Sequence, residues 1–411
     1  MTKGRIPMND MAVGLEQTEE HAQARRAAEF GMVEHFRSAN QAAGIQPRIL
    51  YLIGQLGVGG YERQLYYLLQ ALDRQSYRSA VVVWGSAHCS PYVSRITALG
   101  IPVYSFSDPV SPLSKLMALR RLVSFLAPEV IHSYSFYTNF PAWWSTRGTR
   151  TMAVGSIRNN FVSEIRESGP VLGRLSARWP ALQICNSVAA KTAVASAKGL
   201  FKPSRLHVVM NGIDIQHFHA QALPAGDPVL LAVGRLSPQK RWDRLLKAIA
   251  MVKQRGLRFS VRHAGGGPLR SALEEEANAL GVGDLIQFLG IRQDMPALFA
   301  NSTFLVHTAE EEGCPNVIME AMACGRAVVA TDAGHSPQLV EDGKTGYIVE
   351  RGDGQALGAR IGALVANREL AMQMGQAGRE KAVREFGIQQ LLADTLRAYQ
   401  DAGWKGYHGL Q

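Results

Sequence analysis

Arg235, Lys240, Glu312 and Glu320 have the chemistry and spacing to hold a ligand that carries both phosphate and hydroxyl groups. Leu230–Lys240 reads LLAVGRLSPQK. A short apolar run ends at Gly234, which delivers Arg235 to its carboxyl end and puts Lys240 near the start of the next helix, after Pro238. Two cations beside a helix N-terminus make an anion site, because backbone N–H groups and the helix dipole add to the side-chain charge. Taken alone, such a pair is more often a set of solvated loop cations. Ala309–Gly325 reads AEEEGCPNVIMEAMACG. Glu312 falls in the loop after an apolar run, and Glu320 inside a helix whose first turn is predicted to hold Pro315 and Asn316, since proline is tolerated there. The N–H groups of Gly313, Cys314, Pro315, Asn316 and Val317 (proline excepted) then suit a diphosphate. The loop carboxylate suits sugar hydroxyls, and the helical one the two hydroxyls of a ribose, since an ionised carboxylate offers two acceptor oxygens. Glu310 and Glu311 read as solvated neighbours.

These residues need a scaffold that brings strand ends together. Arg48–Gly54 (RILYLIG) is a short apolar run ending in glycine, as a buried parallel strand does. Similar runs follow at Ala80–Trp84, Val103–Phe106, Val130–His132, Met152–Ser156 and Leu182–Cys185, separated by helical stretches such as Tyr61–Leu72. Asn211–Asp227 breaks this rhythm and reads as a linker. A second series follows at Val229–Val233, Phe259–His263, Ile286–Leu289, Phe304–His307 and Ala327–Ala330, with helices between them and a last helical stretch over Glu369–Ala402. Alternating strand and helix implies doubly wound parallel sheets. The expected fold class is α/β, with two Rossmann-like domains facing across a cleft. Residues 46–222 form the first, 223–385 the second, and 386–411 a C-terminal helix packing back toward the first. Residues 1–45, rich in Glu, Gln, Ala and Arg from Glu16 to Ala43, read as an N-terminal helical extension.

At 46% hydrophobic and 19% charged residues, the composition is that of a soluble globular protein. The net charge of +10 is spread along the chain. With no zinc-finger spacing and no basic run interleaved with aromatics, no nucleic-acid partner is expected; anionic substrates or an anionic membrane surface remain. Cys89, Cys185, Cys314 and Cys324 form no CxxC pair, so no disulfide framework is expected and a reducing cytosol fits. The N-terminus lacks the apolar core of a signal peptide. No apolar run reaches the length, about 18 residues, of a membrane span.

Residues 48–400 resemble the family-4 retaining glycosyltransferases of GT-B architecture (glycosyl transferases group 1). The resemblance rests on GGYERQLYYLL near the start, NGID at 211–214, GRLSPQKRWD at 234–243, HAGGGPLR at 263–270, FLG at 288–290 and EGCPNVIMEAMACG. The order and spacing of these segments make it specific. It implies transfer of a hexose or N-acetylhexosamine, with retention, from a UDP- or GDP-linked donor to a glycan or lipid-linked glycan, in polysaccharide biosynthesis. Arg235 and Lys240 would neutralise the leaving diphosphate, Glu320 bind the ribose and Glu312 contact the sugar. The backbone at Gly313–Val317 would touch sugar and phosphate. Gly59 and Gly60 would approach the donor from the first domain, or simply make a tight strand-to-helix turn. Gly265, Gly266 and Gly267 form the analogous second-domain loop, or a plain turn. No cofactor is implied and, with no DxD pair, no metal: Arg and Lys replace the cation's charge.

In EVIHSYSFYTNF the sequence departs from the family, whose members often carry H-x-H. His132 matches the first histidine, as a catalytic group or as a satisfied structural one. Tyr134 takes the second position and either substitutes as a hydrogen-bonding group or alters activity. In SIRNNFVSEIR, Arg158 and Asn159 are the acceptor-side candidates. Ser114–Phe125, a basic amphipathic stretch, and the nearby Trp143–Trp144 are either sheet-covering helices or a contact for an anionic membrane. The expected location is the cytoplasm, including the inner face of the cytoplasmic membrane. Two other readings keep the fold: a GT-B nucleotide-sugar epimerase, and a degenerate nucleotide-sugar-binding protein.

Overall fold

The structure is a computed structural model that describes residues 47–57, 59–85, 91–106, 111–199 and 201–406. The expected N-terminal helical extension and Cys89 lie outside the described residues.

The first domain is built on β1 (Ile49–Ile53), β2 (Ser79–Val83), β3 (Val103–Ser105), β4 (Val130–Ser133), β5 (Met152–Ile157), β6 (Leu182–Cys185) and β7 (Arg205–Val208). The second is built on β8 (Val229–Val233), β9 (Ser260–Ala264), β10 (Ile286–Phe288), β11 (Phe304–His307), β12 (Ala327–Thr331) and β13 (Gly346–Val349). All pairings are parallel. The orders are β3-β2-β1-β4-β5-β6-β7 and β10-β9-β8-β11-β12-β13. Every residue of β1, β2, β4, β11 and β12 is buried, as strands covered by helices on both faces must be. That burial is why these strands read as continuous apolar runs. β7 and β13 did not emerge from the sequence: both lie at the edge of their sheets, β7 (RLHV) is half-exposed and carries Arg205 and His207, and β13 (GYIV) starts on a glycine, so neither reads as an apolar run.

In each sheet the order reverses once, between β1 and β4 and between β8 and β11. A crevice opens at such a switch point, outside the carboxyl ends of the strands. The loops leaving β1, β4, β8 and β11 carry Gly59, Tyr134, Arg235 and Glu312 respectively.

The chain crosses between the domains twice, after β7 and at Phe386–Gly387, and the crossings are tied where Ile213 N–H donates to the Phe386 carbonyl at 2.7 Å. Helix Arg368–Glu385 packs on the second domain's helix Asn316–Ala323. Helix Ile388–Asp401 returns to lie on helix Gly60–Ala71, and Leu391, Leu396, Tyr399 and Trp404 join the first domain's core. Gln64 bolts this core to the crossing: its Oε1 accepts from Gly212 N–H at 2.7 Å and its Nε2 donates to the Gly212 carbonyl at 2.8 Å. Asn211 continues the link, donating to the Cys314 carbonyl at 3.2 Å and to Asn316 Oδ1 at 2.8 Å.

Candidate active site

On the second-domain side, β8 ends at Val233 and the chain turns through Gly234 to expose Arg235. Among the described residues its guanidinium makes no hydrogen bond or ion pair; its carbonyl accepts from Trp242 Nε1 at 2.9 Å. The turn is set from the neighbouring loop: Gly234 N–H donates to Ala264 at 2.9 Å and Leu236 N–H to Gly266 at 2.9 Å. Gly265 has φ +152°, and a Cβ there would run into the Gly234 carbonyl. Gly265 and Gly266 therefore shape the loop that presents Arg235. Lys240 ends a short 3-10 turn, Pro238–Lys240, before helix Trp242–Gln254. Its ammonium forms an ion pair with Glu312 Oε1, which also meets His307 Nε2 at 2.9 Å. Burial alone would raise the Glu312 carboxyl; the Lys240 charge and the His307 hydrogen bond overcome this and hold it at about 2. Glu312 is thus a fixed carboxylate with a settled charge.

Helix Asn316–Ala323 starts at Asn316, with Pro315 capping it from outside the first turn and Glu320 buried in its middle. The expectation that Pro315 sits inside that turn is corrected by its extended backbone, ψ 103°. Glu320 Oε1 is paired with Arg63, from the first domain's helix Gly60–Ala71. Oε2 is left for another donor. Glu310 is partly exposed and pairs with Arg244 and, at 3.4 Å, with Arg241. Cys185, Cys314 and Cys324 are free and buried, and burial pushes the Cys314 thiol up to about 12, so it is no nucleophile.

The first-domain side is a cavity of about 550 Å³ at the carboxyl ends of β1, β4 and β5. Tyr134, Arg158 and Asn159 line it. The Arg158 guanidinium lies 4.2 Å from the centre of the Tyr134 ring, and among the described residues its Nε and Nη1 have no hydrogen-bond partner. The Tyr134 ring is buried, which raises its hydroxyl against the Arg158 charge, so it is a neutral phenol. The Arg158 backbone is held by Asn186 Nδ2, which donates to its carbonyl at 3.0 Å. A Cβ on Gly313 would strike that same carbonyl, so the two walls meet at Gly313 because it is glycine. They also meet at Gly60, where a Cβ would lie 3.0 Å from Asn316 Nδ2. Gly59 caps helix Gly60–Ala71 in an extended conformation.

His132 does not reach the cavity. It is 1% exposed; Nδ1 meets the Tyr399 hydroxyl at 2.6 Å and Nε2 the Ser156 hydroxyl at 3.1 Å. Burial, aided by Arg158, holds its pKa well below the ordinary histidine value. With both ring nitrogens engaged, it ties β4 to the C-terminal helix and is not a catalytic candidate. Sequence reasoning missed three site residues. His307 is the last residue of β11, a position that faces the switch point. Arg63 stands inside GGYERQ, and Glu164, on the cavity lining, inside SIRNNFVSEIR. The first could have been found from its place at a strand end; the other two depend on packing between distant elements.

The "Glycosyltransferase Family 4" model matches residues 58–217 and the "Glycosyl transferases group 1" model residues 214–381, so the pair spans both domains. Over 165 residues the chain is 34% identical to the GDP-mannose-dependent alpha-(1-6)-phosphatidylinositol monomannoside mannosyltransferase of Mycolicibacterium smegmatis, covering 38% of this chain and 43% of the relative. It is 30% identical over 226 residues to the alpha-maltose-1-phosphate synthase of the same organism, covering 48% and 57%. The match therefore spans about half the length of these curated relatives. Among solved structures, Anabaena Alr3699/HepE in complex with UDP superposes with a TM-score of 0.74 at 23% identity, over 86% of this chain and 100% of that one.

Proposed function

The chain belongs to the family-4 glycosyltransferases with the GT-B fold, and on that premise we propose that it transfers a hexose or N-acetylhexosamine, with retention, from a UDP- or GDP-linked donor to a glycan or lipid-linked glycan. The observation that carries this reading is Arg235: an exposed guanidinium without a partner among the described residues, at a switch point and beside the fixed Lys240–Glu312–His307 group. In transfer, the bond from the anomeric carbon to the diphosphate breaks and its electron pair leaves with the nucleoside diphosphate. The acceptor oxygen bonds to that carbon, and its proton passes to the departing phosphate. Arg235 and Lys240 stabilise the charge that develops on the leaving group, an electrostatic role that needs no metal. Glu320 Oε2 takes a ribose hydroxyl, and Glu312, already ionised and fixed, takes hydroxyls of the sugar. The GDP-mannose and UDP named for the relatives suit this division of labour.

A panel of UDP- and GDP-sugars tests the reading. At least one raises the melting temperature, since a ligand that binds only the native state stabilises it. The same sugar then releases nucleoside diphosphate when a glycan acceptor is added, with or without EDTA. A panel in which nothing shifts melting sinks the proposal. Tyr134, in the place of a histidine, favours a second reading: a binding protein without turnover, which would shift melting but release nothing.

The lipid-linked option has a surface to go with it. On helix Pro112–Leu126, Leu113 is 69% exposed and Met117, one turn on, 38%, while Arg120 stacks at 5.0 Å over Trp144. Exposed apolar residues flanked by cations suit the interface of an anionic bilayer, and a cytoplasmic membrane face would supply it. Salt-sensitive binding to anionic vesicles is expected. No helix among the described residues is long and apolar enough to cross a membrane.

A further inference from the structure

The cavity beside Gly313 is walled entirely by the first domain, and its charged lining is one guanidinium, Arg158, and three carboxyl groups, Glu62, Glu164 and Glu167. Glu164 stands apart from the other two. It is 7% exposed, and its Oε1 accepts from the backbone N–H groups of Arg158 at 3.3 Å and Asn159 at 3.1 Å. Its Oε2 has no hydrogen-bond partner among the described residues. A buried polar atom left unpaired is costly, because it gives up its hydrogen bond to water and gains none in return. The fold does not need it for local structure, because Asn160 caps helix Phe161–Glu167 by accepting from Val162 and Ser163. Oε1 alone staples the turn that carries Arg158. The second oxygen is therefore held in a fixed place, buried and at a cost, on a residue that lines the cavity next to the donor loop.

We propose that Glu164 is a specificity-determining residue of the acceptor pocket: Oε2 hydrogen-bonds a hydroxyl of the acceptor sugar, and the acidic lining selects a neutral pyranose over one bearing a carboxylate or phosphate. The proposal rests on the reading of the cleft as a transferase site. Sugar hydroxyls match the lining, since carboxyl groups and a guanidinium hydrogen-bond hydroxyls while Tyr61, Phe136 and Tyr137 offer aromatic surface to the ring. Glu62 and Glu167 outnumber Arg158, which disfavours a second anion. Burial pushes the Glu164 carboxyl up to about 8, against the two backbone hydrogen bonds and the Arg158 charge, while Glu167 adds to the rise. The facing Tyr61 hydroxyl is raised by burial and by Glu164 itself, so it adds no charge. At neutral pH Glu164 therefore presents an O–H to an acceptor oxygen.

The test uses the full chain saturated with UDP or, in a parallel arm, GDP. Binding of methyl α-D-mannopyranoside, methyl α-D-glucopyranoside and methyl β-D-glucuronide is followed by saturation-transfer NMR. At least one neutral glycoside binds, about tenfold or more tightly than the glucuronide. Glu164→Ala weakens that binding about tenfold, the loss of one buried hydrogen bond. Glu164→Gln, whose amide still donates, keeps it within about threefold on the same scale. Both variants retain the wild-type melting shift with nucleotide. The inference is overturned if the glucuronide binds as well as the neutral glycosides, if Glu164→Ala binds them like wild type, or if none binds. When nucleotide stabilises all three proteins and only the glycosides ignore position 164, this inference alone fails. When no nucleotide stabilises even the wild type, the transferase reading fails and takes the inference with it.

Discussion

On the second-domain wall of the cleft, Glu312 shares Oε1 between Lys240 and His307, and Glu320 pairs with Arg63. On the first-domain wall, Arg158 Nε, Arg158 Nη1 and Glu164 Oε2 have no hydrogen-bond partner among the described residues. On one wall the buried carboxylates have their charges settled by pairing within the fold, and only the exposed Arg235 guanidinium is free among the described residues; on the other, buried hydrogen-bonding atoms are left open. A wall that must stabilise a leaving group gains from groups already fixed and ionised, because nothing has to reorganise during the reaction. A wall that reads an incoming substrate leaves hydrogen-bonding capacity for it, and a substrate lacking the matching group then leaves buried atoms unpaired.

Lys240→Met strikes the settled wall hardest. It leaves the Glu312 carboxylate, whose side chain is 13% exposed, without its counter-charge. A loss of about 3–5 kcal/mol in urea denaturation is expected, with turnover down about 100-fold or more. Adding Glu312→Gln recovers much of the stability and none of the turnover. If the single variant is as stable as wild type, the wall is not settled in the sense argued. Arg235→Ala separates function from stability on the same wall: turnover falls about 100-fold, while stability stays within about 0.5 kcal/mol because the side chain is exposed and unpaired. A matching fall in stability would show that Arg235 has a structural partner.

On the open wall, Tyr134→Phe lowers turnover about tenfold, the value of one hydrogen bond to substrate, and leaves stability unchanged or slightly higher. Unchanged turnover would remove Tyr134 from the site. His132→Phe has the opposite signature, costing about 1–3 kcal/mol through the lost Tyr399 and Ser156 contacts with kcat intact. A fall in kcat of the folded enzyme would return His132 to the site. The smallest effect is on the pH dependence of stability. Glu164 has a raised pKa, so the stability it contributes is fully present below about 4.5 and is lost as pH rises toward about 8. The melting temperature of Glu164→Gln should therefore gain on wild type by a few degrees across that window. A constant difference would mean that Glu164 is ionised throughout.

The same contrast explains what could be read early. The settled wall is assembled from two short segments, each at the end of one strand: Arg235 follows β8 directly, and Glu312 follows β11. Each of these side chains sits within a few residues of a strand end, so GRLSPQK and the EGCPNVIMEAMACG block point to them from local pattern, whereas Arg63, which pairs with Glu320 from the other domain, is marked by neither segment. The open wall draws Tyr61, Tyr134, Arg158 and Glu164 from loops and helices after three different strands, and no local spacing marks Glu164 as a member. His132 illustrates the limit. Its place beside Tyr134 invites a catalytic role, and a hydrogen bond to Tyr399, 267 residues away, removes it.

The two parallel sheets, the break between them, and the residues at the mouths of β8 and β11 were all determined by the sequence itself. Strand burial, turn chemistry and helix starts act over a few residues, and they leave their pattern in the residues that obey them. Only the tertiary structure decided which charges are paired and which polar atoms are left open: Lys240 and His307 beside Glu312, the Arg63 charge across the domains beside Glu320, and, among the described residues, no hydrogen bond on Glu164 Oε2. Desolvation and charge pairing depend on neighbours brought together by folding from distant parts of the chain, and no sequence pattern records them.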